Sequence, residues 1–149
     1  MIPGLRDSQL LSGLSETHLR ELAELSTIRG YGEQEAIFNQ GDPATSLYLI
    51  AAGNVALVRH CYSVINGEES LITVGVLRVG ESLGWSSLVE PQSYTVSARA
   101  LGEVKLIVLD SAGFKAWTQQ SPVVEMLVLR NLNDLLAHRL HRAYDAFPD

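Results

Sequence analysis

The chain has 149 residues, 46% of them hydrophobic, enough for one domain with a real core and too apolar for a disordered segment. Its formal charge of −6, from 17 acidic against 11 basic residues, opposes an electrostatic grip on a phosphodiester backbone, so no direct nucleic-acid partner is expected. Cys61 is the single cysteine, which excludes an internal disulfide and a thiolate metal cage and suits a reducing compartment.

The first residues, MIPGLRDSQLL, lack the basic start and long apolar core of a secretion signal, and nowhere does the chain approach about 18 consecutive apolar residues. The expectation is a cytoplasmic protein without a membrane partner. Ser15 is placed to cap a helix on which Leu19, Leu22, Ala23 and Leu25 share a face, and Gly30 and Gly32 end it. Residues 1–30 are therefore assigned to N-terminal helices.

From Glu35 to Asp110 the pattern changes to short β-rich runs separated by turn residues, at least six strands in all. Asn66-Gly67 is a strong hairpin signal, because both central positions of a tight hairpin turn favour positive φ. SARAL and VKLIVLD predict two strands around Gly102. So many turns leave no room for parallel crossover units. Residues 31–110 read as an antiparallel β-roll, a jelly-roll-like barrel.

Helical periodicity returns in residues 111–149. Ser111 is placed to cap a short helix carrying Phe114 and Trp117, and Ser121-Pro122 opens a long one running to about Ala146. Along the long helix Leu129, Leu132, Leu136, Leu140, Ala143 and Phe147 trace one apolar stripe, with Val124, Val128 and Leu135 beside it. Either the two form one broad face buried in the monomer, or one covers the roll and the other meets a second copy. The favoured dimer residues are Val128, Leu132, Leu135, Leu136 and Leu140. The whole chain, 1–149, reads as a single mainly β domain with flanking helices and no DNA-binding domain.

The stretch VGESLGWSSLVEPQSYTVSARA, residues 79–100, carries the candidate chemistry. Gly84-Trp85-Ser86-Ser87-Leu88 begins like the G-x-S-x-G nucleophile elbow, but Leu88 stands where the closing glycine belongs, and no histidine is placed beside Ser86. Catalysis is not expected. An anion-binding turn has better physics, since Gly80 and Gly84 allow a close turn and the segment Ser86 to Val89 can present free amides, with Ser86, Ser87 and Thr95 adding hydroxyls. The third reading is a glycine-bounded corner with no ligand. His60-Cys61 has no second axial candidate for a haem and reads as a surface or half-buried hairpin position, and His138 and His141 have no third ligand for a metal and read as a solvated polar face. Arg130, Arg139 and Arg142 are expected to face water or a partner's acids.

Two short helices, a roll containing GDPATSLYLIAAGNVALV, the glycine-bounded loop, an alternating strand and a long terminal helix together resemble the cyclic nucleotide-binding domain, from about Leu19 to Leu140. That family includes the sensor halves of catabolite activator and fumarate-nitrate regulator proteins, protein kinase A regulatory subunits and nucleotide-gated channels. The resemblance makes the loop from Gly84 the phosphate-binding cassette, commonly G-E-[LIM]-[AGS]-L followed by R-[TS]-A, with glutamate on the ribose hydroxyl and arginine on the cyclic phosphate. This chain instead has Gly84, Trp85, Ser86, Ser87, Leu88, then Tyr94 and Thr95. Trp85 offers no acceptor and Tyr94 no positive charge. Losing both contacts implies cyclic nucleotide affinity lower by about a hundredfold or more.

The resemblance thus implies a non-enzymatic sensor of a cyclic nucleotide or another small-molecule effector, signalling through a homodimer or a separate output protein. The alternative is an assembly scaffold in which Trp85 and Tyr94 plug the pocket and no nucleotide binds.

Overall fold

The computed structural model describes residues 4–145. A 3₁₀ turn at Gln9–Leu11 and helix α1 (Glu16–Glu24) precede six strands: β1 (Ser26–Tyr31), β2 (Ala36–Phe38), β3 (Ser46–Tyr62), β4 (Glu69–Leu77), β5 (Ser82–Leu83) and β6 (Ser97–Asp110). Helices α2 (Ser111–Gln119) and α3 (Pro122–Asp145) follow. The sheet runs β1-β6-β3-β4, with β2 on β6 and β5 on β3, and every pairing is antiparallel. This is the expected mainly β roll with helices at its flanks.

Long β3 and β6 form the spine, and their alternation explains the two cores. Tyr48 and Ile50 on β3, with Leu106 and Val108 on β6, point into the roll beside Phe38, Leu83 and Tyr94. Their neighbours Leu47, Leu49, Ile107 and Leu109 point outward and meet Leu19, Leu22, Phe114, Trp117, Val124 and Val128 from the helices. Both faces are therefore buried, and the strands read as near-continuous apolar runs rather than as alternation. Each fully buried leucine contributes about 1.5–3 kcal/mol of transfer free energy. Polar clamps set the helix positions: Trp117 Nε1 donates to Glu21 Oε2 at 3.1 Å, and Asn131 Nδ2 on α3 donates to the carbonyls of Leu10 and Ser12 at 2.9 and 2.8 Å.

The structure differs from the sequence expectations at several points. Residues 1–30 are not all helical: β1 begins at Ser26 and pairs along its length with β6, because a free β6 edge outweighs weak helix propensity in STIRGY. Leu25 lies outside the buried face of α1, 48% exposed. The β3–β4 hairpin exists, but Tyr62 pairs with Glu69, so six residues rather than a two-residue turn connect the strands. A single β6 passes through Gly102 where two strands were expected, with register slips on β3 between Ile50 and Asn54 absorbing the irregularity. Asp110, not Ser111, caps α2 by accepting from the Gly113 amide, and Ser111 is buried. Phe147 lies outside the described residues.

Val128 corrects the expected dimer face. It is 4% exposed and packs in the outer core of its own subunit, and Leu132 and Leu135 are partly buried against the same cluster. Leu136 and Leu140, two of the favoured dimer residues, are exposed, as are Met126, Leu129 and Tyr144. Among the described residues, no helix is long and apolar enough to cross a membrane.

Candidate functional site

Strand β5 ends against the start of β3, with Leu83 opposite Tyr48, and the chain must turn there without colliding with that strand. Gly84 makes the turn at φ +85°, and a Cβ on it would stand 2.7 Å from the Ser46 carbonyl oxygen. Only glycine combines that left-handed conformation with so close an approach. A short 3₁₀ turn, Trp85–Leu88, follows, and the connection then returns to β6 through Tyr94.

Tyr94 is 5% exposed. Its ring stacks on Phe38 with centroids 3.8 Å apart and planes 11° from parallel, and its hydroxyl donates to the Ser46 carbonyl at 2.9 Å. Burial raises the pKa of the Tyr94 phenol, and that of Tyr48 in the same direction, so both stay protonated well into alkaline solution. Trp85 is half-buried, with its indole N–H donating to Ser82 Oγ at 2.8 Å. Both aromatics are held at the walls.

Between them and α3 lies a cavity of about 460 Å³. Phe38, Leu57, Leu83, Trp85, Tyr94 and Val96 form its roll side, and Leu132, Leu136, Arg139, Leu140 and Ala143 its helix side. The size falls within the roughly 300–1,000 Å³ usual for small-molecule sites, as does the mostly apolar lining. A second hollow of about 470 Å³ adjoins it, sharing Leu57, Thr95, Val96, Arg139 and Ala143 and adding Arg142.

Of the cassette residues expected from sequence, Gly84, Trp85, Ser86, Tyr94 and Thr95 line the hollow. Ser87 and Leu88 do not. The 3₁₀ winding turns Ser87 inward, fully buried with no partner for its hydroxyl among the described residues, and Leu88 packs on the outer core beside a separate groove of about 210 Å³. Leu132, Leu136 and Leu140, expected at a dimer contact, line the hollow as well.

Arg139 departs furthest from expectation. Rather than facing water, its Cζ sits 3.8 Å from the Trp85 ring centroid, and its Nη2 donates to the Ser82 carbonyl at 3.3 Å. Burial lowers its pKa from the ordinary guanidinium value, with Glu81 opposing the shift and Arg142 adding to it. The signal was present in the sequence: position 139 falls on the inward stripe 132, 136, 139, 143, where an arginine was passed over as surface charge. Arg78 is exposed, and neither it nor Arg99 lines the hollow. His60 Nδ1 is paired with Glu69 at 2.6 Å, and His138 and His141 are exposed on α3. Among the described residues no three His, Cys, Asp or Glu side chains gather as a metal site.

Comparison with known proteins places this geometry. The family model described as "Cyclic nucleotide-binding domain" matches residues 28–121. The "Cyclic AMP receptor protein" of Thermus thermophilus is 32% identical over 139 residues, covering 93% of this chain and 60% of that protein. A "CRP-like cAMP-activated global transcriptional regulator" of Mycobacterium tuberculosis is 28% identical over 113 residues, 76% of this chain and 46% of that protein. The chain thus spans about half of these relatives' lengths. Among solved structures, the N-terminal domain of a transcriptional regulator from Streptomyces coelicolor is 30% identical with a TM-score of 0.69, covering 97% of this chain and 95% of that one.

Proposed function

The chain belongs to the cyclic nucleotide-binding domain family, and from that premise we propose that it is a non-enzymatic sensor whose effector enters the hollow between the turn at Gly84 and α3. The open 460 Å³ cavity carries this reading. It supports a sensor over a plugged scaffold because Tyr94 is tied to Phe38 and Ser46, and Trp85 to Ser82, leaving the space between them free. The effector-contacting set is Gly84, Trp85, Ser86, Tyr94 and Thr95 from the roll and Leu132, Leu136, Arg139 and Leu140 from α3.

Cyclic AMP, named in the descriptions of two relatives, is the first effector to test. Its affinity here is expected to be weak, because Trp85 and Tyr94 replace the two side chains that read ribose and phosphate in the cassette pattern. Output runs through α3. Met126, Leu129, Leu136 and Leu140 are 56, 55, 45 and 52% exposed, an apolar stripe that supports pairing with a second copy or docking on a separate output protein.

The test is native mass spectrometry of the purified protein, which reads retained ligand and oligomer together. NMR titration with cyclic AMP, cyclic GMP and cyclic dinucleotides should follow. Saturable shifts in residues 84–95 are expected; no saturable change up to millimolar ligand, with no retained mass, would leave only an assembly role.

A further inference from the structure

With Tyr94 in the connection that leads into β6, the roll side of the hollow carries no cation, and among the described residues Arg139 is the one charged side chain in its lining. No carboxylate among the described residues forms an ion pair with Arg139; Glu81 acts on it through space and is bridged to Arg142 at 3.8 Å. A guanidinium presents five N–H donors in one plane. Arg139 uses one on the Ser82 carbonyl, and the others have no acceptor among the described residues.

The partner beneath it explains how such a group is kept in place. A carboxylate at position 85 would neutralise Arg139, whereas an indole holds a cation by its ring face and leaves the charge in force. Tyr94 brings no charge to the roll side, and the Trp85 ring face holds the cation that α3 supplies.

We propose that Arg139 is the anion reader of this hollow, binding the negatively charged group of an organic effector whose planar or apolar body lies against Phe38, Tyr94 and the α3 leucines. The proposal rests on the hollow being an effector site, but not on the effector being a cyclic nucleotide. Charge-assisted hydrogen bonds of this kind correspond to a preference of about ten- to a hundredfold for an anion over its neutral counterpart.

The test uses two probes that share a planar body and differ in charge: 8-anilinonaphthalene-1-sulfonate and uncharged N-phenyl-1-naphthylamine. Both are titrated into the full chain and into Arg139→Gln and Arg139→Lys. The wild type is expected to bind the sulfonate at least tenfold more tightly than the neutral probe. R139Q should lose that preference, read as the ratio of the two affinities, with an unchanged circular dichroism spectrum showing that the fold is kept. Lysine, with charge but no stacking plane, should fall between.

Binding is located by NMR, since Trp85 and Trp117 give separate indole N–H signals. That of Trp85 should move with the sulfonate, and that of Trp117, buried against Glu21, should not. An unchanged preference in R139Q, no preference in the wild type, failure of both probes to saturate, or a silent Trp85 signal would each overturn the assignment. Cyclic nucleotides failing to bind while the sulfonate preference holds would refute the choice of effector and leave Arg139's role standing.

Discussion

Replacing Gly84 by alanine tests whether the turn is pinned to the roll or merely passes near it. At φ +85° the new Cβ carries the left-handed penalty of an L-residue, about 1–2 kcal/mol. It also stands 2.7 Å from the Ser46 carbonyl oxygen and 3.3 Å from Tyr48 Cδ2. Ser46 lies in β3, opposite Asp110 of β6, so its carbonyl cannot retreat and the turn must move instead. Overpacking of this kind costs about a further 1–3 kcal/mol, for a total of roughly 2–5 kcal/mol. Gly41 supplies the control: at φ +91° it has the same backbone strain, but a Cβ there meets no atom within 4 Å, so Gly41→Ala should cost only the first contribution. Urea denaturation followed by circular dichroism reads the difference as a midpoint about 1 M lower for G84A than for G41A, taking a slope near 2 kcal/mol/M. The Ser46 carbonyl also receives the Tyr94 hydroxyl, so G84A should shift the Trp85 and Tyr94 NMR signals as well. Equal midpoints for the two variants would refute the close approach and with it the idea that β3 positions the cassette.

Tyr94→Phe keeps the stack on Phe38 but removes the hydrogen bond to Ser46, at a cost of about 1 kcal/mol near neutral pH. The same variant should flatten the alkaline side of the stability profile. The folded state holds the Tyr94 proton above its ordinary pKa, so the wild type is fully stabilised below about pH 10 and loses stability above it, as unfolded tyrosine ionises first. Denaturation midpoints between pH 8 and 11 check this, and an unchanged slope in Y94F would exclude Tyr94 as the source. Val128→Ala, deleting methyls that are 4% exposed, should cost about 2 kcal/mol and leave the oligomeric state untouched. Leu140→Glu, on the exposed face, should change subunit stability by under about 0.5 kcal/mol while weakening self-association at least tenfold by analytical ultracentrifugation.

The fold was legible because its signals are local and mutually consistent: turn residues at short intervals through the roll, apolar runs long enough for two-sided burial, and a Ser-Pro start to α3. β1 was misread because STIRGY takes its strand geometry from β6, a partner more than sixty residues away, and nothing in the local pattern announces it. At the site, the glycine turn was read correctly because positive φ is written in the residue itself. Ser87 was misplaced because a 3₁₀ turn advances its side chains differently from an α-turn, and sequence does not distinguish the two over four residues. Arg139 was missed for a different reason. Polarity was taken to imply exposure, when a half-buried guanidinium over an indole satisfies its environment without reaching bulk water.

The placement of Leu136 and Leu140 carries a consequence for signalling. Each lines the hollow and is also about half exposed, so each is available to an effector and to a second copy. If an effector moves α3 toward or away from the roll, the geometry of the exposed apolar residues changes with it, and binding and association become linked equilibria. Linkage requires symmetry: the factor by which effector tightens or loosens self-association must equal the factor by which association changes effector affinity. An effector at about 100 times its dissociation constant shifts the state it prefers by about 2.7 kcal/mol, or about a hundredfold in the association constant, when it does not bind the other state. Sedimentation at several protein concentrations, with and without cyclic AMP or the naphthalene sulfonate, measures the first factor. Titration of the probe at protein concentrations below and above the onset of self-association measures the second. Equal factors different from one are expected; self-association indifferent to a saturating ligand would show that α3 does not move with occupancy and that the helix is a fixed wall of the site.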